Sequence, residues 1–411
     1  MNVNFSGFNY LTIAVLIFLV CNLPQLCPAE DEIPDWDSAV ADSSGQTVNW
    51  YMWGGSPAVN RYVNGYLARE LKNRFNINLR QVPVKDIAEI VSKLMVEKAA
   101  GKNSGGSVDL MWINGENFRT CKRENLLFGP FADVLPNQRF VDWHNPAVEN
   151  DFGTPVAGME SPWGSAQFVM IYDSARTPDP PTTIADLIRW IIKHPGRFSY
   201  PAPPDFTGSA FVRHFFYHTG APEKWQQGYN EAELKESADS TYAILNDLKP
   251  FLWREGSTYP DSPVRLNSLF VDNEIDFSFS YHQGEATRNI LDGIFPDTVR
   301  TYVFDEGTIA NTHFVAIPFN AENKEGAMVV ANFLLSPEAQ YKKAEPDVWG
   351  DFPVVSTTRL PVEWQEKFNT RPRGVATLDD QQLQSHQLPE PPSDILVYLE
   401  KGWENQVLKS R

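Results

Sequence analysis

The sequence predicts an α/β protein of two domains with doubly wound, mainly parallel sheets, and three observations carry that prediction. Apolar runs of strand length alternate with segments whose apolar residues recur at three and four spacing, the pattern of strand, crossover helix and next strand. The 411 residues exceed what one hydrophobic core ordinarily supports, so two domains of common size are the default. A proline-rich interruption, Thr177-Pro178-Asp179-Pro180-Pro181, is stiff and extended, and a new unit begins after it.

At the amino terminus, residues 11–20 form an apolar run too short to span a bilayer and of the length of a signal-peptide core. Cys27-Pro28-Ala29 supplies small residues ahead of Glu30-Asp31-Glu32, so residues 1–29 read as a signal peptide cleaved near Ala29, although no Lys or Arg precedes Leu11. An uncleaved anchor is the alternative. Cys21 and Cys27 leave with the signal, and the mature chain keeps Cys121 alone, without a partner for an internal disulfide. Arg119, Lys122 and Arg123 flank Cys121, but no CxxC or paired-His spacing accompanies it, which predicts a buried, inert thiol. Residues 1–29 carry no Asp, Glu, Lys or Arg, so the net charge of −17 belongs entirely to the mature protein. That field repels nucleic acid and anionic lipid and mildly favours cationic ligands, with a surface kept acidic for solubility as the simpler explanation.

Residues 30–45 are polar and acidic, with one short helix around Trp36. Residues 48–53 make an apolar, aromatic strand that ends in Trp53-Gly54-Gly55-Ser56-Pro57, where Ser56 caps a helix starting on Pro57. Val59, Tyr62, Val63, Tyr66, Leu67, Leu71 and Phe75 give that helix one apolar face. A second strand over 77–84 leads to a helix marked by Ile87, Ile90, Val91 and Leu94, which stops in the loop 101–106. The third strand, 108–113, breaks at Asn114-Gly115 and passes into a helix over 116–125. Ligands of such sheets collect at the carboxyl ends of strands, which makes Trp53-Gly54-Gly55-Ser56 and Asn114-Gly115-Glu116-Asn117 candidate small-molecule contacts.

In the stretch 160–173, Pro162 and Gly164 predict an exposed, bendable first half and residues 168–172 a buried strand. Trp163, beside Gly164-Ser165, is placed to face a cavity, with a surface turn packing its own Trp as the alternative. Beyond the proline linker come a helix over 183–194, a short strand over 197–200, and a loop that delivers Thr207 as N-cap of a helix carrying Phe211, Val212, Phe215 and Phe216. Residues 276–280 alternate as a strand with a polar face, closed by Tyr281-His282-Gln283-Gly284-Glu285. Two further strands, 299–304 and 312–318, precede helical spacing at Ala327, Val330, Ala331 and Leu334 and a fresh cap at Ser336-Pro337. Residues 350–373 read as loop-rich, 378–392 as polar and proline-bounded, and 395–408 as a closing helix.

Asn311-Thr312-His313-Phe314-Val315-Ala316-Ile317-Pro318, then Asn320, Ala321, Asn323 and Ser336-Pro337-Glu338-Ala339-Gln340, resemble the return segment of the periplasmic solute-binding proteins of ABC importers. Trp53-Gly54-Gly55-Ser56, Trp112-Ile113-Asn114-Gly115-Glu116-Asn117-Phe118, Pro162-Trp163-Gly164 and Pro203-Pro204-Asp205-Phe206-Thr207-Gly208 resemble most the YnjB-like branch, extracellular solute-binding family 1. The similarity covers the whole mature chain. It implies a type II-like periplasmic-binding-protein fold of two lobes, each a mainly parallel sheet flanked by helices, with crossings at 160–173 and 299–309. Lobe one is then 45–167 plus 305–343 and lobe two 168–304 plus 344–411. The resemblance also implies a small solute gripped between the lobes, no cofactor, and a periplasmic monomer that docks on an ABC transporter permease. Trp163, Gly164, Ser165, Thr207, Gly208, Tyr281 and Glu285 would face the same cleft as Trp53, Gly54, Gly55, Ser56, Asn114 and Glu116. Core packing is the alternative for Trp163 and Tyr281, and a structural hydrogen bond the expected role of His282.

No HExxH, GxSxG, GxxxxGK or post-strand GxGxxG occurs, so no catalytic residue and no metal ligand is assigned. A secreted hydrolase with a dispersed site is the alternative by class. A ferric-ion carrier on the same fold is the other; such carriers commonly use adjacent tyrosines, and Tyr-Tyr does not occur here. Aromatics at strand ends with Glu116 and Glu285 suit a cationic or heteroaromatic solute, thiamine-like or a polyamine, whereas capped helix starts suit a phosphate-containing or carboxylate solute.

Overall fold

The computed structural model describes residues 33–226 and 228–410, besides Met1; the expected signal peptide and its cleavage point fall outside them. Twelve strands are present among the described residues: β1 (Thr47–Trp53), β2 (Asn78–Val84), β3 (Leu110–Ile113), β4 (Leu127–Phe128), β5 (Asn150–Asp151), β6 (Thr154–Pro155), β7 (Ser161–Gln167), β8 (Val169–Asp173), β9 (Phe277–Ser280), β10 (Val299–Tyr302), β11 (Thr308–Pro318) and β12 (Gln387–Pro389). The larger sheet runs β12-β11-β3-β1-β2, with β4 and β7 also on β11. Parallel pairing joins β1 to β2 and β3, and β12 to β11, whereas β3, β4 and β7 run antiparallel to β11.

Alternation fixes β1 in this sheet: Val48, Trp50 and Met52 are fully buried while their neighbours keep some exposure. Ser56 then accepts from the Val59 N–H at 3.4 Å and starts the predicted helix, which continues through a π-helical segment at Tyr62–Leu67 to a left-handed cap at Asn76. Cys121 is buried as expected, and burial pushes its thiol up to about 12.

The smaller sheet, β10-β8-β9, has both pairings antiparallel where the alternation of elements predicts parallel ones. The cause is topological. The chain leaves the larger sheet along β8 and returns toward it along β10, so these neighbours must run in opposite directions. Around this sheet lies the larger core, with Phe168, Phe198, Phe211, Phe215, Phe277 and Phe279, closed by Ile395, Leu399 and Trp403 of the last long helix. Val355, Leu360 and Phe368, from the segment that the sequence groups with lobe two, pack instead on Phe140, Val148 and Leu335.

Residues 160–165, expected as an exposed bend, lie in or beside the buried strand β7. Pro162 is paired with Phe314 and Gly164 with His313, so Trp163 is the extra residue of a bulge, which is how a proline is tolerated inside the sheet. The crossing itself falls at Phe168, between β7 of one sheet and β8 of the other. The helix Phe206–Thr219 is capped by Asp205, not Thr207: the Asp205 carboxylate accepts from the Gly208 N–H at 2.9 Å, which puts Thr207 inside the first turn. The polar segment 378–392 holds a short helix, Asp380–Gln384, and β12. Among the described residues no helix is long and apolar enough to cross a membrane.

Candidate functional site

β11 is edged on one side by β7. On its other side β12 stops at Ala310 and β3 begins at Phe314, which leaves the ladder open at residues 311–313. Because β3 runs antiparallel to β11 and β12 parallel to it, the carboxyl ends of both strands converge on this gap, the arrangement that creates a ligand crevice in α/β sheets. A cavity of about 330 Å³ lies there, lined by Asp151, Phe152, Gln226, Asn311, Thr312 and Glu390 among others. The Asn311 Oδ1 atom is buried without a hydrogen-bond partner.

Asp151 is 2 % exposed and accepts from the Gly115 N–H at 2.7 Å. Gly115 has φ +63°, a conformation glycine adopts without strain, and this sends the chain from β3 into the helix Gly115–Arg123. Burial raises the Asp151 carboxyl well above its usual range, with Glu116 and Glu390 adding to the rise against the Gly115 N–H. Glu160 beside it is also buried, both oxygens unpartnered, and is raised by desolvation first and by Asp151 second. Glu390 sits in Leu388-Pro389-Glu390-Pro391-Pro392 and accepts from Arg213 Nη2 at 2.9 Å and from the Tyr281 hydroxyl at 2.5 Å. Arg213 Nη1 donates to Ser209 at 2.7 Å, and its guanidinium lies 5.6 Å from the Phe206 ring. Phe206, Ser209 and Arg213 share one helix face by their spacing, so a single helix presents the whole group to β12.

On the β7 side, Lys343 Nζ lies 2.5 Å from Asp351 and donates to the Phe352 carbonyl at 2.7 Å. His313 and His282 approach the other Asp351 oxygen at 3.5 and 3.8 Å. Burial works to raise the Asp351 carboxyl, but Lys343 foremost, then the histidines, hold it below its usual range. A Cβ on Gly164 would collide with this carboxylate, which is the physical need for glycine there. Between the two groups, His214 is buried on the helix Phe206–Thr219; its Nδ1 is 2.7 Å from the Ala210 carbonyl and its Nε2 accepts from the Ile309 N–H at 3.0 Å. Burial drives its pKa down to about 3.

Trp53 is half exposed, its ring against Gly55, and the Gly54 carbonyl accepts from Asn60. Asn114 makes no side-chain capping bond, and Glu116 has solvent access although surrounding protein raises its pKa. Trp163 is fully buried, edge-on to Trp50 and Trp112 at 5.1 and 4.9 Å, and Tyr281 is buried on Glu390. Ser165 bonds through its backbone to Phe352 and Gln283. Glu285 accepts from Asn267 at 2.8 Å and from the Ser280 hydroxyl. Asn114 and Glu116 thus flank the cavity through Gly115, and Tyr281 reaches it through Glu390; Trp163, Gly164 and Ser165 lie on the far edge of β11. Sequence reasoning missed Asp151, Arg213 and Glu390 and cited Asn311 only within a motif. A lone Glu among prolines was the one local signal. Among the described residues no cluster of three or more His, Cys, Asp or Glu side chains is arranged to hold a metal ion.

A crevice at converging strand ends, walled by β5, β11, β12 and two short helices, has the concave form of a small-molecule site. The chain belongs to the bacterial extracellular solute-binding protein family, whose profile matches residues 67–371. It is 41% identical over 338 residues to Protein YnjB of Escherichia coli (strain K12), covering 82% of this chain and 87% of that one. Its fold is similar to the spermidine/putrescine ABC transporter substrate-binding protein PotD from Streptococcus pneumoniae, with TM-score 0.60, 15% identity, and 87% and 99% of the two chains covered. The periplasmic binding protein AfuA from Actinobacillus pleuropneumoniae, solved with fructose-6-phosphate, is similar at TM-score 0.60, 14% identity, and 89% and 100% coverage. The chain is therefore a solute-binding protein of this family, with the two-lobed fold of these structures.

Proposed function

We propose that the protein captures its solute in the crevice at the carboxyl ends of β3 and β12 and carries it, as a periplasmic monomer freed of residues 1–29, to the permease of an ABC importer. The observation that carries this reading is the cavity at the gap in β11, with the buried, unpartnered Asn311 Oδ1 on its wall. In this reading Trp53, Ser56, Asn114 and Glu116 approach from the turns of lobe one, and Thr207 and Gly208 from the first turn of the helix facing them. Trp163, Gly164, Ser165, Tyr281 and Glu285 shape the crevice from behind. Closure rotates the lobes about the crossings near Phe168 and Gly307, residues where few dihedrals absorb the motion. The test is mass spectrometry of the solute released from the protein as isolated, joined to X-ray scattering with and without that solute. A released small molecule that reduces the radius of gyration is the expected result; scattering curves that superpose, or chemical turnover of the solute, would overturn the reading.

A further inference from the structure

We infer that the crevice takes a small organic cation, bearing an ammonium or amidinium group, and rejects phosphate and carboxylate solutes. The inference rests on reading this cavity as the solute site. Similar folds leave the charge open, since one such protein is named for polyamines and another was solved with a sugar phosphate.

The lining carries three ionisable side chains among the described residues, Asp151, Glu223 and Glu390, and all are carboxyls. Asp151 and Glu390 are 2 % and 5 % exposed; Glu390 has Arg213 as its counter-charge, whereas burial disfavours the charged form of Asp151, and a bound ammonium would supply the counter-charge that ionises it. Arg213, the guanidinium behind this wall, is fully buried and engaged by Glu390 and Ser209.

Hydrogen-bonding capacity points the same way. Two lining donors are already committed: the Thr312 hydroxyl donates to the Ala147 carbonyl at 2.6 Å and Gln226 Nε2 to the Glu390 carbonyl at 2.9 Å. Asn311, 7 % exposed, keeps an acceptor with no partner. A donor on the solute would satisfy that oxygen. The helix starts that could attract an anion are occupied by the chain itself, the Gly115 N–H by Asp151 and the Gly208 N–H by Asp205. Phe152 and Phe314, with the prolines and alanines of the lining, suit the carbon frame of an organic cation better than a hydrated ion.

The test titrates the mature protein calorimetrically with spermidine, thiamine and choline in one arm and inorganic phosphate, fructose 6-phosphate and succinate in the other, and identifies the molecule released from the protein as isolated. Expected is binding in the cationic arm, weakened about tenfold or more by Asp151→Asn and about two- to fivefold by Glu223→Gln, an exposed rim position that leaves the fold alone. Asn at position 151 can still accept from Gly115, and a melting curve checks that variant. Binding confined to the anionic arm, a released molecule that is neutral or anionic, or cation binding that neither variant changes would overturn the inference. A released anion that closes the lobes would do so while leaving the transport reading intact, whereas no solute and no closure with any probe would sink both.

Discussion

Lys343–Asp351 and Arg213–Glu390 are both buried ion pairs, at 2.5 and 2.8 Å, on opposite sides of the crossing strand β11. The first is shut in by Trp349 and by His282 and His313, whose rings lie within 15° and 17° of parallel to the indole, and the recess beside it measures about 10 Å³. The second faces the cavity of about 330 Å³. Similar chemistry thus serves two ends. Where protein closes every side, the pair fastens the helix Pro337–Ala344 to the segment that follows it, and where one side opens, its carboxylate becomes part of a binding wall. Pairing a charge repays its desolvation only when its partners stay in place, so the two sites should respond differently to loss of a partner.

Asp351→Asn is the severest way to break this contrast. It leaves Lys343 buried without a counter-charge and should cost about 3–5 kcal/mol in urea unfolding while affinity for the solute holds. A midpoint equal to the parent's would mean that water reaches Lys343 and that the two sites are alike. Glu390→Gln comes next. It leaves Arg213, also fully buried, without its counter-charge, so the stability loss should be about 3 kcal/mol, the low end of the same range because one side of Glu390 opens on the cavity, accompanied by weaker solute binding in the same preparation. Unchanged affinity would separate Glu390 from the binding wall.

An effect that vanishes at neutral pH sharpens the contrast from between the two pairs. His214, with a pKa of 6.5 when unperturbed and about 3 in the fold, is held neutral by burial, against the pull of the Ala210 carbonyl on its Nδ1, while its Nε2 accepts from the Ile309 N–H. Below pH 6.5 the unfolded chain takes up a proton that the folded chain refuses. Stability should therefore fall as pH drops toward 3, by about 1.4 kcal/mol per unit, with no contribution above 6.5. The buried carboxyls Asp151 and Glu160, raised by burial, act in the opposite sense, so the difference between parent and His214→Gln isolates the histidine. Parallel stability curves for the two proteins would contradict the neutral tautomer.

Much of the framework was legible because local pattern and tertiary role agree. β1, β2 and the helices after them follow from apolar periodicity, and the turn at Ser56 from its own cap. The parts that were not legible depend on distant partners. Trp163 reads as a cleft aromatic because proline and glycine flank it, yet the bulge that buries it exists only against His313 and Phe314. β12 is three residues among prolines and glutamines, a strand only because β11 offers an edge. Asp151 and Glu390 are ordinary acidic residues until β3 and β12 bring their ends together.

The place of β11 in the larger sheet also sets an order of events in the life of the chain. β1 starts at Thr47 and β12 ends at Pro389, and β11 supplies the edge on which β3, β4, β7 and β12 all register. Until β11 emerges, the β3 edge has no mate, and none of these long-range pairings can nucleate from its near neighbours in sequence. Pairings of such separation form slowly, because the intervening loop must be closed before any contact rewards it. With this wiring the larger sheet acquires its full set of pairings only once β11 and β12 have both been made, whereas the smaller sheet draws on residues that precede them.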